Sequence, residues 1–161
     1  MATEPSATHN SELITTFYDA FSRRDADAMA ACYHPDITFH DPVFGTLRGR
    51  RAKDMWRMLC KIGKDLTVSA SNITADDQTG SAHWVADYTF STGRKIHNEV
   101  DASFEFRDGL IVTHNDNFDF RSWCGQAFGP VGSISAHTPI PGFVLRRLVH
   151  RQLDVFQRRI N

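Results

Sequence analysis

At 161 residues, with 41% hydrophobic and 23% charged side chains, the chain fits one domain able to withdraw roughly 70% of its unfolded surface from water. A formal net charge of -1 gives no overall attraction to nucleic acid, and Cys32, Cys60 and Cys124, an odd set without CxxC spacing, encode neither a disulfide framework nor a usual zinc site. No run approaches the ~18 apolar residues of a spanning helix and the polar opening MATEPSATHN lacks a signal-type core, so the expected compartment is a reducing cytoplasm.

After an unstructured start, Ser11 is the candidate N-cap of a helix in which Leu13, Ile14, Phe17, Tyr18 and Phe21 recur at helical spacing up to Arg23 or Arg24. Asp25 or Asp27 caps a second, short helix carrying Met29, Ala30 and Tyr33, ended by the His34-Pro35 step. The stretch ITFHDPVFGTLRGR then alternates, with Ile37, Phe39, Asp41 and Val43 on one side and Pro42 restricting it to an edge or bulge. Asp41 therefore lies on the apolar side, where burial would raise its pKa into the range of a general base at neutral pH; the plainer role is capping the turn before Pro42. A third amphipathic helix runs from Arg51 to Ile62 with Gly63 closing it, and the basic cluster Arg48, Arg50, Arg51 and Lys53 reads as its solvated start.

Long strands follow at 65–75 and 80–91, then a hairpin from Asn98 to Phe120 turning at Asp108-Gly109, a dipeptide that tolerates the positive φ of a tight hairpin turn. In its first arm Val100, Ala102, Phe104 and Phe106 form a dry face, and Trp84, Ala86, Tyr88 and Phe90 do the same on the preceding strand. Such a row can wall a pocket for a flat hydrophobic ligand or simply fill a core. A plain two-residue turn pairs Phe104 with Thr113 and sends His114 and Asp116 to the wet face; a one-residue bulge between Leu110 and Val112 returns them, with Phe118, to the dry one. Beyond Arg121 several Gly and Pro residues predict a loop-rich crossing, and the chain closes on a basic amphipathic helix with Leu145, Leu148, Val149, Leu153, Phe156 and Ile160 on one stripe. That helix is expected to pack on its own domain or on a second subunit rather than on an anionic membrane. The run of helices followed by an antiparallel meander predicts an α+β domain.

The segments FYDAFSRRDADAMAACYHPDITFHDPVFG, MWRML, GSAHWVADYTF and SFEFRDGLIVTHNDNFD resemble the NTF2-like superfamily, in particular its SnoaL-like branch, which includes polyketide cyclases, ketosteroid isomerases and limonene epoxide hydrolases. The likeness covers about residues 11–120, with 121–161 an extension of the same domain. It implies a cone-shaped, curved antiparallel sheet whose central pocket is closed by the N-terminal helices. Laid on the ketosteroid isomerase branch, Tyr18 matches the tyrosine that donates to the substrate oxygen and Asp41 the carboxylate that moves the proton. Ala102 stands where that branch has a protonated aspartate, and losing a comparable donor costs ~2.7 to 4 kcal/mol of transition-state stabilisation. His114 and Asp116 match the branch's His-x-Asp pattern and become candidates for a second acid and base.

The resulting expectation has Asp41, Tyr18, His114 and Asp116 as catalytic candidates in a pocket walled by Phe39, Trp56, Trp84, Ala86, Tyr88, Val100, Ala102, Phe104 and Phe118. No metal site and no cofactor are expected. The ligand is a small hydrophobic, carbonyl- or epoxide-bearing molecule, handled by acid-base chemistry with Asp41 as base; the alternative is a non-catalytic ligand-binding or dimerisation module. A homodimer through the sheet is the resemblance's implied assembly, over the polar outward residues Asp87, Thr89, Glu99, Asp101 and Ser103.

Overall fold

A computed structural model describes residues 4–130 and 139–161. Helices α1 (Glu4–Ser22) and α2 (Ala26–Ala31) precede strands β1 (Tyr33–Asp41) and β2 (Gly45–Arg48). Helix α3 (Arg50–Ile62) leads into β3 (Thr67–Ala75), β4 (Thr79–Thr89), β5 (Lys95–Arg107) and β6 (Leu110–Asn117), followed by α4 (Phe120–Phe128) and α5 (Pro139–Ile160). The sheet has the order β2-β1-β6-β5-β4-β3, antiparallel throughout except for the parallel pairing of β1 with β6. It is a curved α+β architecture, as the resemblance implies. No helix among the described residues is long and apolar enough to cross a membrane.

The inward face follows the period of two. Trp84 and Ala86 of β4, Val100, Ala102 and Phe104 of β5, and Ile37 and Phe39 of β1 are buried against Ile14, Phe17 and Phe21 of α1 and Met55 and Trp56 of α3. Each of the larger of these side chains contributes on the order of 1.5–3 kcal/mol by leaving water, before the entropy of ordering it is counted. Gly80 permits α1 to lie so close to β4: a Cβ there would stand 2.8 Å from the Ile14 Cδ1 and 3.0 Å from the Phe106 ring.

Local signals misplace four features. Helix α1 begins at Glu4, not at Ser11, whose hydroxyl instead donates to the Thr8 carbonyl inside the helix. Its polar first turns are tied down from a distance, by Asn10 donating to the Asp76 carbonyl and His9 bonding the Gly109 carbonyl. Asp25 does cap α2, accepting from the Ala28 amide, but the helix stops at Ala31 and Tyr33 opens β1. Pro35 is tolerated in that strand because the pairing with β6 is irregular between Tyr33 and Thr38. The loop expected after Arg121 contains α4, capped by the Asp119 side chain at the Ser122 amide and ended at Gly129 with φ +80. In α5, Leu145, Val149 and Leu153 are buried, whereas Leu148 and Ile160 are exposed and leave the expected stripe.

The basic cluster before α3 is partly structural. Arg51 reaches across to α5, donating to Asp154 at 2.7 Å and to Gln157 at 2.9 Å. Asp54, fully buried, accepts from Arg57 at 2.9 Å and from Gln157 of α5 at 2.8 Å. These bonds seat the C-terminal helix on α3.

Candidate functional site

The β5–β6 hairpin decides which side chains face inward. Asp108 and Gly109 both have positive φ, 54° and 75°, and pair Arg107 with Leu110 and Phe106 with Ile111. The register then shifts by one residue, so that Glu105 faces Thr113, Phe104 faces His114 and Ala102 faces Asp116. Val112 is the unpaired residue of a β-bulge. His114 and Asp116 are thereby turned into the core, the first with no exposed surface and the second 4% exposed.

His114 lies among rings, with its centroid 4.5 Å from Phe104, 5.2 Å from Phe39 and stacked on Trp56 at 6.0 Å. Its Nδ1 is 2.7 Å from the Tyr33 hydroxyl, which also receives the Trp56 indole N–H at 2.8 Å. An indole only donates, so the Tyr33 proton has His114 Nδ1 as its acceptor. That leaves the imidazole proton on Nε2, 2.9 Å from Asp116 Oδ1, where the Trp84 indole also donates at 3.2 Å. The hydrogen bonds thus run in one direction, Trp56 to Tyr33 to His114 to Asp116. Burial first, and then the charge of Asp116, hold the Tyr33 phenol well above its ordinary pKa, so that it keeps the proton it donates.

Asp41 ends β1 on the same side as Ile37 and Phe39. Its Oδ1 accepts the amides of Val43 and Phe44 at 2.8 and 2.5 Å, closing the turn into β2. The capping role and the buried role coexist. Burial raises its pKa from 3.8 to about 7; the Phe44 amide opposes that rise, the charge of Asp116 adds to it, and the Val43 amide and Arg146 of α5 pull it back.

Asp41 and Asp116 line one cavity of about 420 Å³. Its walls are apolar: Trp56 and Met55 from α3, Trp84, Ala86 and Tyr88 from β4, with Phe118 beyond β6. Neither Oδ2 of the two carboxylates is hydrogen-bonded among the described residues. Tyr88, at the cavity wall, receives the Trp123 indole N–H at 2.9 Å, and its own hydroxyl proton has no acceptor among the described residues.

The remaining expected site residues stand behind this surface. Phe39, Val100, Ala102 and Phe104 are buried core and do not line the cavity. His114 does not line it either, and both its nitrogens are engaged. Tyr18 is enclosed next to Trp84 and Phe104, and its hydroxyl is the one fully buried side-chain polar atom among the described residues without a partner. Burial first, and then the charge of Asp116, push its pKa well up. Sequence reasoning missed Tyr33, assigned to a helix, together with Trp123 of α4 and Val149 and Gln152 of α5, which complete the cavity wall. The Asp119-x-x-Ser122 cap was the available signal for α4; nothing local announces where α5 docks. No group of three or more His, Cys, Asp or Glu side chains among the described residues is placed to hold a metal ion.

The SnoaL-like domain family model matches residues 14–114, well over half of the chain. The chain belongs to the SnoaL-like domain family. Among solved structures this SnoaL-like domain is similar to a polyketide cyclase candidate of Xanthomonas campestris pv. campestris, at 22% identity over 76% of this chain and 98% of that one, with a TM-score of 0.64. An LEH-like epoxide hydrolase of M. tuberculosis matches at 20% identity over 83% and 98% of the two chains, TM-score 0.62. A protein of ketosteroid isomerase-like fold from Catenulispora acidiphila, solved with trimethylamine, matches at 16% over 74% and 94%, TM-score 0.63. At these identities the likeness is one of fold. No curated protein matches the chain.

Proposed function

We propose that this SnoaL-like domain is a cofactor-independent acid-base enzyme acting on a small hydrophobic molecule that bears a carbonyl or epoxide oxygen. One observation carries the reading: two carboxylates, each at least nine-tenths buried, share an apolar cavity and each keeps an oxygen free of hydrogen bonds to the described residues. Asp41 is the base. With a pKa raised to about 7 it exists in both forms at neutral pH, the condition under which a carboxylate both takes and returns a proton efficiently. The proton leaves the substrate for Asp41 Oδ2, and the oxygen on which negative charge develops takes the Tyr88 hydroxyl as hydrogen-bond donor. Tyr88 supplies here what the family resemblance assigned to Tyr18, whose hydroxyl is sealed away from the cavity. Asp116, fixed by Trp84 and His114, is the second proton carrier, and His114 is a positioning residue.

The spread of activities among the fold neighbours, cyclase, epoxide hydrolase and isomerase-like, is compatible with this chemistry and selects no one of them. The test screens carbonyl and epoxide compounds by thermal shift and then assays turnover of those that bind. Asp41→Asn keeps both backbone hydrogen bonds, and is expected to bind within a few-fold of wild type while turnover falls about 10²- to 10⁴-fold. Binding without any turnover in the wild type, or turnover indifferent to Asp41→Asn, would return the chain to the ligand-binding module reading.

A further inference from the structure

Helix α5 presents a second apolar surface, away from the cavity. Of the seven large apolar side chains that the described residues leave exposed, five lie on this one helix: Phe143, Val144, Leu148, Val155 and Ile160, with Phe143 at 59% and Leu148 at 56%. The buried stripe of Leu145, Val149 and Leu153 already satisfies the helix's packing, so this is a surplus. At about 100° per residue Val144, Leu148 and Val155 fall on one ridge, with Arg147, Arg151 and Arg158 along one flank and Arg159 on the other. None of these four arginines has an ion-pair partner among the described residues; Arg147 lies over the Phe143 ring at 5.6 Å.

Charge is distributed to match. Helix α5 carries five of the chain's 18 cationic side chains and, as Asp154, one of its 19 anionic ones, a net +4 set against -5 for the rest. The near-neutral total therefore conceals a molecule with a basic helix on an acidic body. Against a negative surface such a molecule orients with α5 inward.

We propose that α5 docks the protein on an anionic lipid surface, with the Val144–Leu148–Val155 ridge entering the acyl boundary and the flanking guanidinium groups at the level of the phosphates. The combination of an apolar ridge with arginines on both sides is what an interfacial helix requires. A second copy of the chain fits this face less well, since a two-fold pairing would set one +4 helix against another. Docking does not depend on the reaction proposed for the cavity, yet it has a bearing on it. Val149 and Gln152 of the same helix line the cavity, so the docked helix carries part of the ligand's wall to the edge of a hydrophobic phase.

The test is co-sedimentation of the full chain with vesicles of phosphatidylglycerol mixed into phosphatidylcholine, and with pure phosphatidylcholine, at low and high salt. Binding is expected to the anionic vesicles alone and to be lost at high salt. Arg147→Gln with Arg151→Gln is expected to weaken partitioning by roughly fivefold per arginine removed. Leu148→Ser weakens it without touching the charge, and an unchanged thermal melt confirms that each variant folds. Failure to sediment with anionic vesicles at low salt, equal binding to both vesicle types, or a wild-type dimer in light scattering that Leu148→Ser dissociates, would each overturn the proposal.

Discussion

Asp41 and Asp116 open onto the same cavity, and they are held there by opposite means. Asp41 is fixed locally, by two amides of the turn that immediately follows it, and burial is the largest influence on its proton affinity, ahead of the charges of Asp116 and Arg146. Asp116 is held by its strand neighbour His114 and otherwise from afar, by Trp84 of β4 and, through His114, by Tyr33 of β1 and Trp56 of α3. Local fixing leaves a carboxylate whose proton affinity is set by burial. Remote fixing leaves one whose orientation depends on four elements at once, so damage to any of them is transmitted to it.

The largest expected effect sharpens the Asp41 side. Folding raises its pKa from 3.8 to about 7, so between those values the folded state binds the extra proton. Stability from this group is full at low pH and is lost as pH rises through the window, by up to about 4 kcal/mol in total. Denaturant unfolding of wild type and Asp41→Asn from about pH 3 to about pH 8 should show the variant gaining relative stability up to about pH 7 and levelling off above. A pH-independent difference between the two would mean that Asp41 is not desolvated in solution.

Breaking the remote side costs somewhat less. His114→Leu preserves volume but leaves the Tyr33 proton without an acceptor and Asp116 without its imidazole donor, a loss of about 3 kcal/mol by thermal or denaturant unfolding. Tyr33→Phe is milder, removing one hydroxyl and leaving the Trp56 N–H and His114 Nδ1 to face each other, for about 1 to 2 kcal/mol. If the relay orients Asp116, Tyr33→Phe also lowers turnover while leaving ligand affinity nearly unchanged; an effect on affinity alone would reduce Tyr33 to a packing residue.

The same division separates what could be read in the chain from what could not. Asp41 was legible because its environment is sequential: the alternation Ile37, Phe39, Asp41 shows the face, and Pro42 shows the turn. The antiparallel meander and the Asp108-Gly109 turn were legible for the same reason. The sequence leaves the facing of His114 and Asp116 open between two registers, because a bulge at Val112 has no composition of its own. Tyr33 was lost to α2 because helical spacing continues to the His34-Pro35 step, and only the pairing of β1 with β6 draws it into a strand. Where α5 settles is decided by Arg51, Asp54 and Gln157 meeting across more than a hundred residues, for which a single sequence holds no signal.

The bulge at Val112 also makes chain length around the site a matter of parity. Removing Val112 alone would convert the hairpin to a regular ladder while keeping Glu105 opposite Thr113 and Phe104 opposite His114, so the site residues would keep their inward facing. Removing Asn115 instead would put His114 and Asp116 in adjacent positions, on opposite faces, and pull the relay apart. A one-residue deletion four positions before Asp116 is thus the conservative change, and one immediately before it is the destructive one.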